Sequence, residues 1–356
     1  MNAARLEACR AGLSARGWAG ALATPGVSFE HLTGARAERT ERLVALGIPV
    51  EGAPWLVVPA FEAERLGAAV PDARVVAWRE DEDPFAVAVA LAGEGIWGLE
   101  PTTAFHDATR LAAAGTGVEW VDGAELFEAL RRRKDADELA ALERAIAAAW
   151  EVFDAVVPGM EAGVTEAETA GRLVEAFAER GFEGWALVQF GPGSAVPHGE
   201  PGARPLAPGA VLIDWGGWRD GFGADLTRSF WWDGGVADED AWPAEYREVH
   251  RTVRVAQRAA FERIVPGVAC GDVDEAARSV IREAGWGEAF VHRLGHGLGR
   301  EIHEPPYLVA GSRDPLRVGD VVTVEPGIYL PGRFGVRWED DVRVGETGAE
   351  VLSIRA

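Results

Sequence analysis

The chain has 356 residues, of which 48% are hydrophobic and 9% aromatic, so it can fill more than one core and two domains of roughly 100–200 residues each are expected. Its 35 basic and 57 acidic residues leave a formal charge of −22, which excludes nucleic acid and an anionic membrane surface as partners and favours solubility. The longest apolar run, Phe85 to Gly93, is about half the length of a bilayer span, and Glu7, Arg10 and Arg16 interrupt any secretory apolar segment at the N-terminus.

In chain order, Leu6 to Arg16 reads as a helix carrying Cys9, and Trp55 to Val58 as a buried strand that stops at Pro59. Residues 1–126 alternate such stretches and are predicted to form an α/β domain. The charged segment Arg131-Arg132-Arg133-Lys134-Asp135 reads as a solvated linker. It precedes a long amphipathic helix with Leu139, Leu142, Ile146, Trp150 and Phe153 on one face, ending at Pro158-Gly159. The second domain is therefore placed at 127–356. Cys270 lies in a Gly-flanked turn; with only one other cysteine, both thiols are expected free and reduced, as in cytoplasm.

The second domain repeats itself. Phe153 to Gly163 aligns without gaps on Phe261 to Gly271, an offset of 108 residues. In the first copy Thr165 and Glu168 form a predicted capping box; in the second, Asp274 is expected to begin the equivalent helix. Leu206 to Gly216 then matches Leu316 to Gly327 with one residue of slip. Each half thereby ends an apolar strand on a carboxylate, Asp214 or Glu325, and supplies a second one, Asp225 or Glu339, from a later strand. A duplicated half folded about a pseudo-twofold axis would bring both pairs together.

Taken singly these acids are ordinary strand-end or sheet residues. As a set with His296, they make a hard oxygen-rich donor group of the kind that holds manganese, iron, cobalt or zinc. The spacings are 11 residues from Asp214 to Asp225, 29 from His296 to Glu325 and 14 from Glu325 to Glu339. Two carboxylates about 4 Å apart repel by ~4 kcal/mol at an effective dielectric near 20, so four that converge need cations among them. Two ions roughly 3.5–4 Å apart would activate a water. Period-two alternation puts Asp225 and Thr227 on one face of their strand and Leu226, Arg228 and Phe230 on the other. Glycines flanking His296 are expected to let the backbone pass close to an ion, and His292 and His303 lie nearby in sequence. His198 occupies the corresponding place in the first half.

On these residues the second domain resembles the pita-bread metallopeptidases, the family of methionine aminopeptidase, Xaa-Pro aminopeptidase and Xaa-Pro dipeptidase (prolidase), over about residues 135 to 356. The N-terminal region resembles the creatinase-type domain that marks the prolyl-cleaving branch. The implied fold is α/β (α+β), a creatinase-type domain followed by a pseudo-twofold duplicated catalytic domain. By that resemblance two divalent metal ions, manganese foremost, with cobalt, zinc or iron as alternatives, would be held by Asp214, Asp225, His296, Glu325 and Glu339. Glu325 would also shuttle the proton of a bridging hydroxide, and His198 and His303 would face the scissile carbonyl. Arg337, which shares a strand face with Glu339, would orient that carboxylate.

Substrate contacts are expected from Trp215 and Trp338, which adjoin ligands, and from Arg300 and Tyr307. Several prolidases carry an arginine where this chain has Tyr307, and a dipeptidase needs a cation for the free carboxylate of its substrate. Arg300, with Tyr307, would supply it, or longer peptides would be admitted. The expected substrate is a small peptide with proline in second position, and family resemblance implies a homodimer. A creatinase-like amidinohydrolase and a metal-free peptide-binding homologue are the alternatives.

Overall fold

In the computed structural model, which describes residues 1–354, the chain divides into two units, Met1–Arg131 and the residues from Arg132 onward. Among the described residues no helix is long and apolar enough to cross a membrane. The first unit is built on strands β1 (Gly20–Ala23), β2 (Ala45–Pro49), β3 (Trp55–Pro59), β4 (Arg74–Trp78), β5 (Gly95–Leu99) and β6 (Val118–Asp122). They form one mixed sheet in the order β4-β3-β2-β1-β5-β6. The helix Ala3–Arg16 starts where the Asn2 side chain accepts from the amides of Ala4 and Arg5, and it stops at Gly17, whose φ of 66° suits glycine. Its buried face places Cys9 and Leu13 beside Leu46 and Leu56 of the sheet. Both cysteines of the chain are free. Burial pushes each thiol up to about 12, so neither is a nucleophile near neutral pH.

The second unit carries two related half-sheets. In the first, β7 (Glu183–Phe190), β8 (Gly209–Arg219) and β10 (Leu226–Trp232) run antiparallel in the order β10-β8-β7, with the short β9 (Phe222–Gly223) paired to β8. In the second, β11 (Gly295–Gly297), β12 (Glu304–Leu308), β13 (Val321–Val324), β16 (Asp340–Val344) and β17 (Ala349–Val351) follow the order β12-β11-β13-β16-β17. A hairpin of β14 (Gly327–Leu330) and β15 (Phe334–Arg337) separates β13 from β16. The central strands β8 and β13 are the matched segments of the internal repeat. The halves are joined by an antiparallel bridge between Thr227 and Glu339, closed by the Glu339 amide on the Thr227 carbonyl at 3.1 Å.

Each half also contributes a helix pair, Ala136–Val156 with Glu166–Glu179 and Ala244–Arg263 with Cys270–Glu283. The capping box of Thr165 and Glu168 is formed in both directions. The start expected at Asp274 is not observed: the helix begins at Cys270. Asp274 is fully buried one turn in, where it accepts from Arg278 and from the Leu294 amide. An internal ion pair, not a cap, explains that acid.

The basic segment is not a solvated linker. Arg132 is buried, donating Nε and Nη2 to the two oxygens of Asp320 at 2.9 and 2.8 Å, Nη1 to Asp314 at 2.6 Å and Nη2 to the Pro315 carbonyl at 2.7 Å. Lys134 meets Glu304 in a second buried pair, and Asp135 caps the helix that follows. Composition reveals the charges of this segment but not the acids that receive them, which lie about 180 residues further along the chain. Removing the guanidinium leaves Asp320 buried without its partner, so Arg132→Met should cost about 3 kcal/mol in urea unfolding. A loss under about 0.5 kcal/mol would mean that the pair contributes no more than an exposed one.

Candidate active site

The five predicted ligands converge. Asp214, Asp225, His296, Glu325 and Glu339 all line one cavity of about 420 Å³, and one ligating atom each from Asp225, His296 and Glu339 lies within 4.8 Å of the others. The halves contribute as the repeat requires, with two carboxylates from β8 and the entry to β10, and the rest from β11 and the ends of β13 and β15. Asp214 differs from its expected place at a strand end: β8 runs five residues past it, to Arg219. Glu325 does follow the last residue of its strand.

The site is strongly polarised against itself. Burial foremost, then Asp214, Asp341 and Glu325, push the Asp225 carboxyl far up. Burial and Asp225 do the same to Glu339. Glu325 is raised to about 8 by burial, against the pull of Arg337. A fixed positive charge directly bonded to a predicted ligand is Arg337, which is fully buried. Its Nη2 donates to Asp214 Oδ2 at 2.5 Å, Nη1 to Tyr329 Oη at 2.9 Å and Pro197 O at 3.1 Å, and Nε to Thr227 Oγ1 at 3.1 Å. Thr227 in turn donates to Glu339 Oε2 at 2.6 Å. Arg337 therefore orients Asp214 directly and Glu339 only through Thr227; the direct Glu339 contact expected from strand alternation is not made, because Glu339 lies beyond the end of β15.

His296 tests whether cations fit here. Burial lowers its pKa to about 3, so it is neutral, and Nδ1 lies 3.2 Å from the Gly297 carbonyl, which assigns the proton to that nitrogen. The lone pair on Nε2 then faces Glu325 Oε1 at 3.4 Å and Asp225 Oδ2 at 3.6 Å. An unprotonated nitrogen aimed at two carboxylates is repulsive unless a proton or a positive ion joins them, and a metal ion does so for all three donors at once. Asp214 Oδ1, buried and without a hydrogen-bond partner among the described residues, makes the same demand. The donor set fits divalent metal ions.

The glycines beside His296 have a packing purpose that the sequence does not predict. A Cβ on Gly295 would sit 2.0 Å from the Thr323 carbonyl oxygen, and one on Gly297 2.4 Å from that of Pro305. They let β11 press against its neighbouring strands, which fixes the histidine between them.

His198 and His303 line the cavity; the His303 ring packs edge-on to His296 with centroids 4.3 Å apart. The two predicted tryptophans do not reach it. Trp215 neighbours Asp214 on a strand and so projects from the opposite face, where its indole donates to the Ala149 carbonyl at 2.7 Å and its ring packs on Phe153. Trp338, next to Glu339, lies between Arg228 and Arg254. Trp185 is the tryptophan in the wall. Arg300 stacks on Phe222 and does not line the cavity. Tyr307 lies under Arg293, 4.5 Å from guanidinium carbon to ring centroid, and Arg293 is the guanidinium that enters the lining beside Arg337.

The sequence places His292 in the histidine cluster but gives it no role; its Nε2 is 2.8 Å from Tyr329 Oη and its Nδ1 is 4.0 Å from Glu325. Its position four residues before His296 was the available signal.

A family model for metallopeptidase family M24 matches residues 140–346, and one for the creatinase/prolidase N-terminal domain matches residues 5–133. The chain is 38% identical to a probable dipeptidase PepE of Mycobacterium tuberculosis over 359 aligned positions, covering 98% of this chain and 93% of the relative. Among solved structures, the dipeptidase PepE of Mycobacterium ulcerans superposes with a TM-score of 0.92 at 36% identity, covering 99% of this chain and 96% of the other. A prolidase from Thermococcus sibiricus gives 0.88 at 31% identity, covering 100% and 98%.

Proposed function

We propose, on the premise that the chain belongs to metallopeptidase family M24, that it releases the N-terminal residue of Xaa-Pro dipeptides or short peptides. The observation that carries this reading is the convergence of five side chains from two sequence repeats on one cavity, with an unprotonated histidine nitrogen facing two carboxylates. Asp214, Asp225, His296, Glu325 and Glu339 would hold two divalent ions, manganese foremost. When bound, such ions polarise a carbonyl and acidify water.

The remaining chemistry falls to the chain. Glu325 stands closest to proton-transfer duty. It accepts the proton of the attacking water as oxygen bonds to the scissile carbonyl carbon, then delivers it to the proline nitrogen as the carbon–nitrogen bond breaks. His198 and His303 donate to the carbonyl oxygen as it gains charge. Arg337 holds Asp214 and, through Thr227, Glu339 in place. Trp185, Leu187 and Ile302 supply apolar wall that limits water. Arg293, not Arg300, is the cation available to a free substrate carboxylate, which supports dipeptides as the preferred substrates.

A cytoplasmic homodimer completes the proposal; the two free thiols support the compartment, and family resemblance the dimer. Steady-state assays with manganese, cobalt or zinc should show turnover of Xaa-Pro, and a kcat/KM for Xaa-Pro at least about tenfold above that for Xaa-Pro-Xaa, the difference one charge-assisted contact supplies. No turnover of either with any of the three metals defeats the reading.

A further inference from the structure

β10 and the segment 338–340 have a second face. Opposite the metal-binding side they border a cavity of about 660 Å³ lined by residues of the helices Ala136–Val156 and Ala244–Arg263. The cavity follows the duplication: Phe153 and Phe261, matched residues of the two repeats, both line it. Its volume falls in the range of small-molecule sites, and nothing in the peptidase chemistry uses it.

The cavity is aromatic and holds a guanidinium that no carboxylate among the described residues touches. Trp338 lies between two guanidinium groups, Arg228 at 4.3 Å and Arg254 at 4.0 Å from its ring. Arg228 is satisfied, donating to Asp340 Oδ1 at 2.7 Å and to the carbonyls of Thr227 and Glu339 at 2.9 and 2.6 Å. Asp340 also accepts from Gln257 at 3.0 Å and Ser353 at 2.8 Å, and its direct ion pair is with Arg228. Arg254, half-buried, makes an ion pair with no carboxylate among the described residues; burial and Arg228 lower its pKa against the longer-range pull of Asp340 and Glu239. Asp238, Glu239 and Arg258, all exposed, stand at the lining's solvent side. Two acids there disfavour a doubly charged group such as a phosphate, whereas a single carboxylate offsets Arg254 alone.

We propose that this cavity is a second binding site, for a flat aromatic monocarboxylate whose ring lies among Trp150, Phe153 and Phe261 and whose carboxylate pairs with Arg254. The assignment is independent of what the metal centre hydrolyses.

2-Naphthoate is a suitable probe. Added to the metal-loaded protein, it should quench tryptophan fluorescence saturably, because Trp150, Trp242 and Trp338 line the cavity. The neutral 2-naphthamide should bind about tenfold more weakly, and Arg254→Gln should lose about tenfold in affinity for the acid, the share a charge-assisted contact supplies. Arg293→Gln, on the other face, should bind it unchanged. Absence of saturation up to roughly 10 mM, equal affinity in Arg254→Gln, or a loss confined to Arg293→Gln would overturn the proposal. A crystal of the unsubstituted protein soaked in 2-naphthoate decides the matter should Arg254→Gln not fold: the carboxylate must lie against Arg254, and its placement elsewhere rejects the site.

Discussion

Glu325→Gln should lower kcat by about 10³-fold, near the upper part of what one positioned acid–base group contributes. Glu325 is nearly enclosed and sits between His296 Nε2 at 3.4 Å, Thr323 Oγ1 at 3.5 Å and His292 Nδ1 at 4.0 Å. Glutamine fills the same volume and can still offer an oxygen to a metal, but it cannot take up and release a proton. The measurement is kcat and KM on an Xaa-Pro dipeptide with metal stoichiometry determined on the same sample. A variant that keeps its metal and more than about a tenth of the activity would remove Glu325 from proton transfer. One that loses both metal and activity would show it to be a ligand first.

Stripping the metal should destabilise the protein, and increasingly so as pH rises. Without cations, Asp225 and Glu339 are raised well above ordinary carboxylates and Glu325 reaches about 8. The folded state then holds protons that the unfolded chain releases above about pH 4.5, so stability is greatest at the acid end and falls as pH climbs towards 8. Metals reverse the sign, because they bind the deprotonated carboxylates. An ion present at 1,000 times its Kd adds about 4 kcal/mol, and two such ions should raise Tm by on the order of 10 °C at pH 8. The gap between chelated and manganese-saturated protein should narrow towards pH 5. Asp225→Asn and Glu339→Ala should abolish most of it. Equal melting with and without chelator at pH 8 is incompatible with a metal centre built from these residues.

The parts of the site that were legible in the sequence are those the duplication writes twice. Asp214 and Glu325 stand at matched places in matched strands, so the repeat located them before any contact was known. Alternation along β10 correctly separated Asp225 and Thr227 from Arg228 and Phe230, because period-two geometry is a property of the local backbone. The same rule, applied to Trp215, would have turned it away from Asp214; adjacency in sequence means opposite faces on a strand. Arg132 and Arg293 were illegible for another reason. A guanidinium is called to its partner by tertiary structure, and Asp320 and Tyr307 lie on elements whose neighbours the sequence does not declare. Arg300 is expected on motif position alone, which gives Arg293 no role, and the ring of Phe222 takes Arg300 elsewhere.

The bridge between Thr227 and Glu339 joins two half-sheets of which neither carries a complete donor set. A polypeptide made of one repeat alone would own two acids and nothing to close over them. Two separate halves would have to meet in solution before they could enclose a cation, at a rate set by protein concentration; joined in one chain, they meet at an effective concentration fixed by the connecting segment. The covalent link therefore makes the enclosure unimolecular, and it lets the two sides differ, with an imidazole from His296 on one and an eleven-residue strand carrying Asp214 on the other.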